Sequence, residues 1–203
     1  MTGKKEEQVA ARGRRKEEVR NRILDSLIGL LSEGGDINHD RVAERAGVGR
    51  RTVYRYFPDQ AALMQPLWDR VVALAGPGVK FPGTMDEMIA SLPVVYRGFD
   101  AIAGLATVVR STPQGRAVRL AQKDRRRKSY TSVAADAVKD LPPEDRVLAT
   151  ALFQVLHTTP WLEMRDHWDL GGDQIARVCG WAIEVLLKDL AVRGGKPLAE
   201  GAV

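Results

Sequence analysis

The sequence predicts an all-α chain, and three observations carry that prediction. Apolar residues recur at three- and four-residue spacing through most of its length. The breaks between these stretches hold Gly, Pro, Asn, Asp and Thr, which start and stop helices. No run alternates apolar and polar residues, as a half-buried strand would. With 203 residues, 44% of them hydrophobic, there is enough chain for one or two domains with a packed core.

The elements follow in order. Residues 1–14 mix both charges and lack a packing pattern, which reads as a mobile basic arm. Its Lys4, Lys5, Arg12 and Arg14 can either touch DNA or stay solvated. From Arg15, a broad apolar face formed by Val19, Ile23, Leu24, Leu27, Ile28, Leu30 and Leu31 predicts a helix that Gly34-Gly35 ends. Asn38 is a candidate N-cap for the next helix, with Val42, Ala43 and Ala46 inward. His39 sits at that N-terminus, as either a phosphate donor or a bystander.

Gly47-Val48-Gly49 then turns the chain into a short helix carrying Arg50, Arg51, Thr52, Tyr54, Arg55 and Tyr56. No acid falls between Glu44 and Asp59. A helix with three guanidiniums and two phenols is poorly suited to a core and well suited to a polyanion. Arginine forks match guanine edges, and hydroxyls donate to phosphate oxygens. Val53 and Phe57, four apart, are the residues that would seat it.

The stretch from Asn38 to Phe57, followed by Pro58-Asp-Gln-Ala-Ala-Leu63, resembles the DNA-binding domain of TetR-type bacterial transcriptional regulators. The resemblance is specific over residues 15–74 and looser beyond. It implies base reading by Arg50, Arg51 and Tyr54, and phosphate contacts by Thr52, Arg55 and Tyr56. The family often carries Lys near the start of the following helix, where this chain has Gln60, so that phosphate contact is weakened or missing.

The helix-turn-helix domain is taken as residues 15–75. Asp59 caps its last helix, and Pro66 inside that helix is expected to kink it. Residues 76–83, with three Gly and two Pro, form a linker. Residues 84–193 form a helical regulatory and dimerisation domain. It opens on a Thr84–Glu87 capping box and includes one long helix over residues 113–141. The cations of residues 123–128 spread around that helix and read as a solvated face.

Two seams close the chain. Leu148, Leu152 and Val155 mark one; Ile175, Val178, Ala182 and Leu186 mark the other. The resemblance implies that these last two helices form a homodimer interface. Residues 194–203 are expected to be a frayed tail.

The chain carries a net charge of +5. Up to Lys80 there are fifteen Lys and Arg against eleven Asp and Glu, so the excess sits with the helix-turn-helix. Cys179, the sole cysteine, rules out a disulfide within one chain and suits a reducing cytoplasm. The charged first residues do not read as a signal peptide, and no apolar run reaches the ~20 residues of a membrane span. His39, His157 and His167 fall in no metal spacing, no nucleophile-elbow motif is present, and no cofactor or metal is expected.

For the second domain, Tyr96, Phe99, Arg110, Gln122, Phe153, His157 and Trp161 are the candidate lining of a pocket for a small hydrophobic or aromatic effector. The competing reading makes the aromatics ordinary core. The expected function is a cytoplasmic homodimeric regulator, a repressor, bound to an inverted-repeat DNA operator. By the resemblance, a small molecule releases it. The alternatives are a ligand-independent dimeric DNA-binding or architectural protein, and an enzyme or carrier on a helix-turn-helix scaffold.

Overall fold

The computed structural model describes the backbone of residues 2–200 and the side chains of residues 6–200. The described residues form helices and no strands. In order these are α1 (Thr2–Ser32), α2 (His39–Ala46), α3 (Arg50–Tyr56), α4 (Gln60–Ala75), α5 (Met85–Ala101), α6 (Ala103–Ser111), α7 (Pro113–Leu120), α8 (Lys123–Val138), α9 (Pro143–Thr158), α10 (Trp161–Trp168) and α11 (Gly172–Arg193). They group into two compact units. The first runs through Val71 and takes back residues 108–121; the second holds residues 72–107 and everything from Gln122 on. The loop over residues 76–83 is present, but the packing divides within α4 rather than at that loop.

In the first unit, Ile23, Leu24, Leu27, Leu30 and Leu31 of α1 are buried, as are Val42, Ala43 and Ala46 of α2, Val53 of α3, and Leu63, Met64 and Leu67 of α4. Local chemistry sets the helix ends. Asn38 Oδ1 accepts from the Arg41 amide at 3.0 Å, and Gly47 takes the left-handed conformation with φ +60°, so its amide reaches the Ala43 and Glu44 carbonyls. Asp59 Oδ1 accepts from the Ala62 amide at 2.7 Å and opens α4. Gln60 Nε2 donates to the Ile37 carbonyl at 2.8 Å, which ties the start of α4 to the approach to α2. Gln60, where the resemblance leads one to expect Lys, therefore has a structural task here.

α1 departs from expectation. Residues 2–14 are not an arm but the first turns of this helix. Residues 6–18 are exposed throughout, so they gain nothing from packing. They continue a nucleus already formed by the buried turns, and adding residues to an existing helix is far easier than starting one. Met1 lies outside the described residues.

In the second unit, α5 packs most extensively on α11, and α9 packs on α5, α8 and α11. The core contains Met88, Leu92, Tyr96, Tyr130, Val133, Phe153, Trp161, Ile175, Cys179 and Ile183. Thr84 Oγ1 accepts from the Glu87 amide at 3.1 Å, and Glu87 Oε2 accepts from the Gly83 amide at 2.9 Å, giving the expected capping box. Gly172 starts α11 against the backbone of α5. A Cβ there would lie 2.6 Å from the Tyr96 carbonyl carbon and 2.7 Å from Asp100 Oδ2. Asp100 closes this junction, because its Oδ2 accepts from the Gly172 amide at 2.7 Å and its Oδ1 from the Trp161 indole N–H at 2.8 Å.

The core also holds a polar chain. Ser91 donates to the Met88 carbonyl at 2.9 Å, so its oxygen accepts from His157 Nε2–H at 2.9 Å. That leaves His157 Nδ1 to accept from the Tyr130 hydroxyl at 2.6 Å. The directions fix a neutral Nε2–H tautomer. Burial pushes the His157 pKa down to about 4 and the Tyr130 pKa up. Nearby, the Tyr96 hydroxyl donates to the Leu156 carbonyl at 2.5 Å and lies 3.4 Å from Cys179 Sγ. Burial raises the pKa of that thiol, in keeping with an inert cysteine.

Two further expectations are corrected. The single helix over residues 113–141 is split at Ala121–Gln122 into α7 and α8. No Gly or Pro marks this break; it falls where the chain leaves one unit for the other. The tail after Gly194 is tied down as far as Glu200. The Arg193 guanidinium is 8% exposed and donates to the Pro197 and Glu200 carbonyls and to Asp189 Oδ2. The Leu198 amide donates to Asp145 Oδ2 at 2.9 Å. Residues 201–203 lie outside the described residues. No single helix among the described residues is long and apolar enough to cross a membrane.

Two outcomes test this packing. Gly172→Ala forces α5 and α11 apart and lowers the urea unfolding free energy by about 1–3 kcal/mol. Gly180→Ala, on the same helix, meets Leu92 Cδ1 at an ordinary 3.5 Å, so its gain in helix propensity leaves stability unchanged or raised by up to about 1 kcal/mol. The second outcome concerns pH. The His157 pKa is about 4 in the folded chain, against an ordinary value of 6.5. Between those values the unfolded chain binds a proton that the folded chain refuses, so stability falls as pH drops through that window. Denaturation midpoints across that range decline in the wild type, and in His157→Asn this component of the decline disappears.

Candidate nucleic-acid interface

Seven residues are too few to hold a helix alone in water, so α3 exists because one side of it is seated. Val53 is fully buried and Phe57 is 3% exposed. Arg50, Arg51, Tyr54 and Arg55 come out together on the opposite face and are exposed. Thr52 and Tyr56 sit at the two edges, each half-buried.

The exposed face is ordered from within. Tyr54 stacks on His39, with ring centroids 4.1 Å apart and planes 8° from parallel. The Arg50 guanidinium lies 5.5 Å from the Tyr54 ring and 2.9 Å from Asp40 Oδ1. The Tyr54 side chain first, and Asp40 second, hold the Arg50 pKa above its ordinary value. That ion pair is solvent-exposed on both sides and weak, so a phosphate or a guanine edge can replace the carboxylate at small cost. Arg55 leans over Tyr56 at 5.5 Å. Four of the six expected residues thus share one face.

His39 does not belong to this face, which corrects the sequence reading. It is 7% exposed, and its Nε2–H donates to the Phe57 carbonyl at 2.7 Å. Its remaining surface is the platform under Tyr54. It joins the start of α2 to the end of α3. Sequence reasoning missed this strut, as well as the Asp40–Arg50 pair, because both span the turn and depend on the angle between two helices.

Of the effector candidates, Tyr96, Phe153, His157 and Trp161 are all buried within the core of the second unit. Phe99 packs against that core and bridges Tyr96 and Trp161 in edge-on contacts at 6.1 and 5.8 Å. Gln122 is 1% exposed, and neither end of its amide has a hydrogen-bond partner among the described residues. Arg110 falls in the first unit. A cleft of about 540 Å³ lies elsewhere in the second unit, lined by Asp100, Arg165, Asp166, Asp169, Leu170 and Gly171, with Asp169 in a left-handed conformation at φ +52°. No sequence motif pointed to it.

Of the expected interface residues, Leu148, Leu152 and Val155 are exposed on α9, whereas Val178, Ala182 and Leu186 are half-buried on α11. Trp181, at 65% exposure, and Val185 extend the apolar surface, and Trp181 was missed. Ile175 is fully buried in the core of its own unit, so it has no surface to offer a second subunit.

Residues 23–67 match the family model described as bacterial regulatory proteins, tetR family. Among curated proteins, no relative matches. A TetR transcriptional regulator from Rhodococcus sp. RHA1 is similar in structure, with 23% identity over 85% of this chain and 98% of that one, and a TM-score of 0.44. RolR in complex with resorcinol is similar at 18% identity, over 92% of this chain and 98% of that one, with a TM-score of 0.48. At those scores the likeness carries no detail of the second unit. The matched segment spans the turn, the seated helix and its exposed arginines, so this part of the chain is similar to the bacterial regulatory proteins of the tetR family.

Proposed function

We infer that the protein is a cytoplasmic homodimeric repressor whose α3 enters the major groove at each half of an inverted-repeat operator. The observation that carries this is the shared exposed face of Arg50, Arg51, Tyr54 and Arg55, on a helix held from behind by Val53 and Phe57. Arg50 and Arg51 read bases; Thr52, Arg55 and Tyr56 fix the register on phosphates. A second copy covers the apolar surface formed by Leu148, Leu152, Val155, Trp181 and Val185, which no described residue covers.

A small hydrophobic or aromatic effector is the natural regulator of this assembly. The support is Gln122: in a core where Tyr96, Tyr130 and His157 are all hydrogen-bonded, it alone keeps a buried amide unpaired among the described residues. Such an effector must bind more tightly to the conformation that fits DNA poorly. A coupling of about 1–3 kcal/mol changes operator affinity about 5–150-fold. A ligand-independent DNA-binding dimer is the second reading. It is favoured by the mutual packing of the candidate aromatics and by the satisfied nitrogens of His157.

Selection of binding sites from random duplex DNA at near-physiological salt tests the main conclusion. A palindrome emerges with the wild type. Arg50→Ala and Arg51→Ala each weaken binding to that site by about 1–3 kcal/mol and tolerate other bases at the position read. Equal weakening on every sequence would rule out base reading by these arginines. Gln122→Met separates the two regulatory readings. Removal of an unpaired amide raises stability by about 1–3 kcal/mol. If an effector uses that amide, the variant keeps its operator but no longer releases it when effector is added.

A further inference from the structure

Asp40 is an acid beside a helix suited to a polyanion. It is exposed in the first turn of α2, and its Oδ1 lies 2.9 Å from Nε of Arg50, the residue that opens α3. A carboxylate in this place repels each phosphate that approaches Arg50. It also favours the N-terminus of α2, as any acid in a first helical turn does. That service needs no partner, yet the carboxylate reaches across the turn to one nitrogen of one arginine.

Arg50 is held differently from its neighbours. Its guanidinium lies 5.5 Å from the Tyr54 ring, and Tyr54 is stacked on His39, which is bonded to the Phe57 carbonyl. Arg55 has a ring beside it, that of Tyr56, but no acid among the described residues. Arg51 has neither among the described residues. The contact with Asp40 is at Nε. The two Nη groups, at the far end of the fork, are a pair that matches guanine O6 and N7.

Charge then separates the two acceptors that DNA offers. A phosphate oxygen at Arg50 brings a negative charge next to the Asp40 carboxylate, whereas a guanine edge brings two neutral acceptors. The ion pair is exposed at both partners and weak, so it biases Arg50 rather than locking it.

We propose that Asp40 determines specificity without touching DNA: it is a positioning residue that denies Arg50 to phosphates and directs its Nη groups to guanine. This rests on the DNA-reading role of α3. Asp40 thus lowers affinity for DNA in general and raises discrimination, as a repulsive element does in specific recognition.

The test uses the full chain and the operator selected from random duplex DNA. The base pair assigned to Arg50 is the one whose preference Arg50→Ala loses. Asp40→Asn keeps the size of the side chain and removes its charge; Asp40→Ala removes both. Glu44→Gln, also exposed on α2, is the control for net charge. Circular dichroism verifies that each variant is folded. Both Asp40 variants bind random duplex about two- to fivefold more tightly at low salt. Their plot of log affinity against log salt steepens by up to about one unit, because Arg50 now neutralises a phosphate. Their preference for the assigned guanine falls by at least about fivefold, toward that of Arg50→Ala. In the Arg50→Ala background the same substitutions leave base preference unchanged. An intact guanine preference in the Asp40 variants overturns the proposal and leaves the acid only its place at the helix end. An equal loss in Glu44→Gln overturns it as well. So does a loss that persists in full without Arg50, since Asp40 would then be reading a base itself. All three outcomes leave base reading by α3 standing. A wild-type chain that selects no motif overturns that reading, and this proposal with it.

Discussion

A seven-residue helix that shows arginines on one side must be held entirely from the other. This constraint organises the first unit. Val53 and Phe57 supply the apolar anchor, but two hydrophobic side chains fix neither the end of α3 nor the rotation of its side chains. The His39 imidazole does both, with one nitrogen bonded to the Phe57 carbonyl and its ring face under Tyr54. Asn38 and Gly47 fix the ends of α2, and Gln60 fixes the start of α4, so that His39 arrives in place. The reading face is preorganised, and less freedom is given up when it meets DNA.

The second unit solves a different problem. Its core is mainly apolar but holds a line of hydrogen bonds from Tyr130 through His157 and Ser91 to the Met88 carbonyl. Each donor in that line meets one acceptor, and burial keeps His157 neutral, which preserves the pattern. A buried network of this kind is tolerated only when complete, which gives the core a single arrangement rather than several. Gln122 stands apart from this order, and the contrast makes it the residue of most interest for regulation.

Charge is distributed as deliberately as hydrophobicity. The net excess is small, yet on α3 it is concentrated, with arginines outward and no acid in the segment. There the polar face follows from what the apolar face has already committed to the core, so seating and recognition are two sides of one periodic pattern.

Much of this was legible in the amino-acid order. Helical periodicity, the Asn38, Asp59 and Thr84 caps, the Gly47 turn and the segregation of Val53 and Phe57 from the arginines are short-range features that neighbouring residues enforce. What tertiary structure decided are contacts between residues far apart in sequence. His39 became a strut because the end of α3 returns to it. The helix over residues 113–141 broke at Gln122 because the chain changes units there, and the tail was caught by Arg193. Ile175 turned inward although its spacing matches Val178 and Ala182, since a helical seam does not say which of its neighbours will cover it. Local order determines which faces exist; only the assembled helices decide what each face meets.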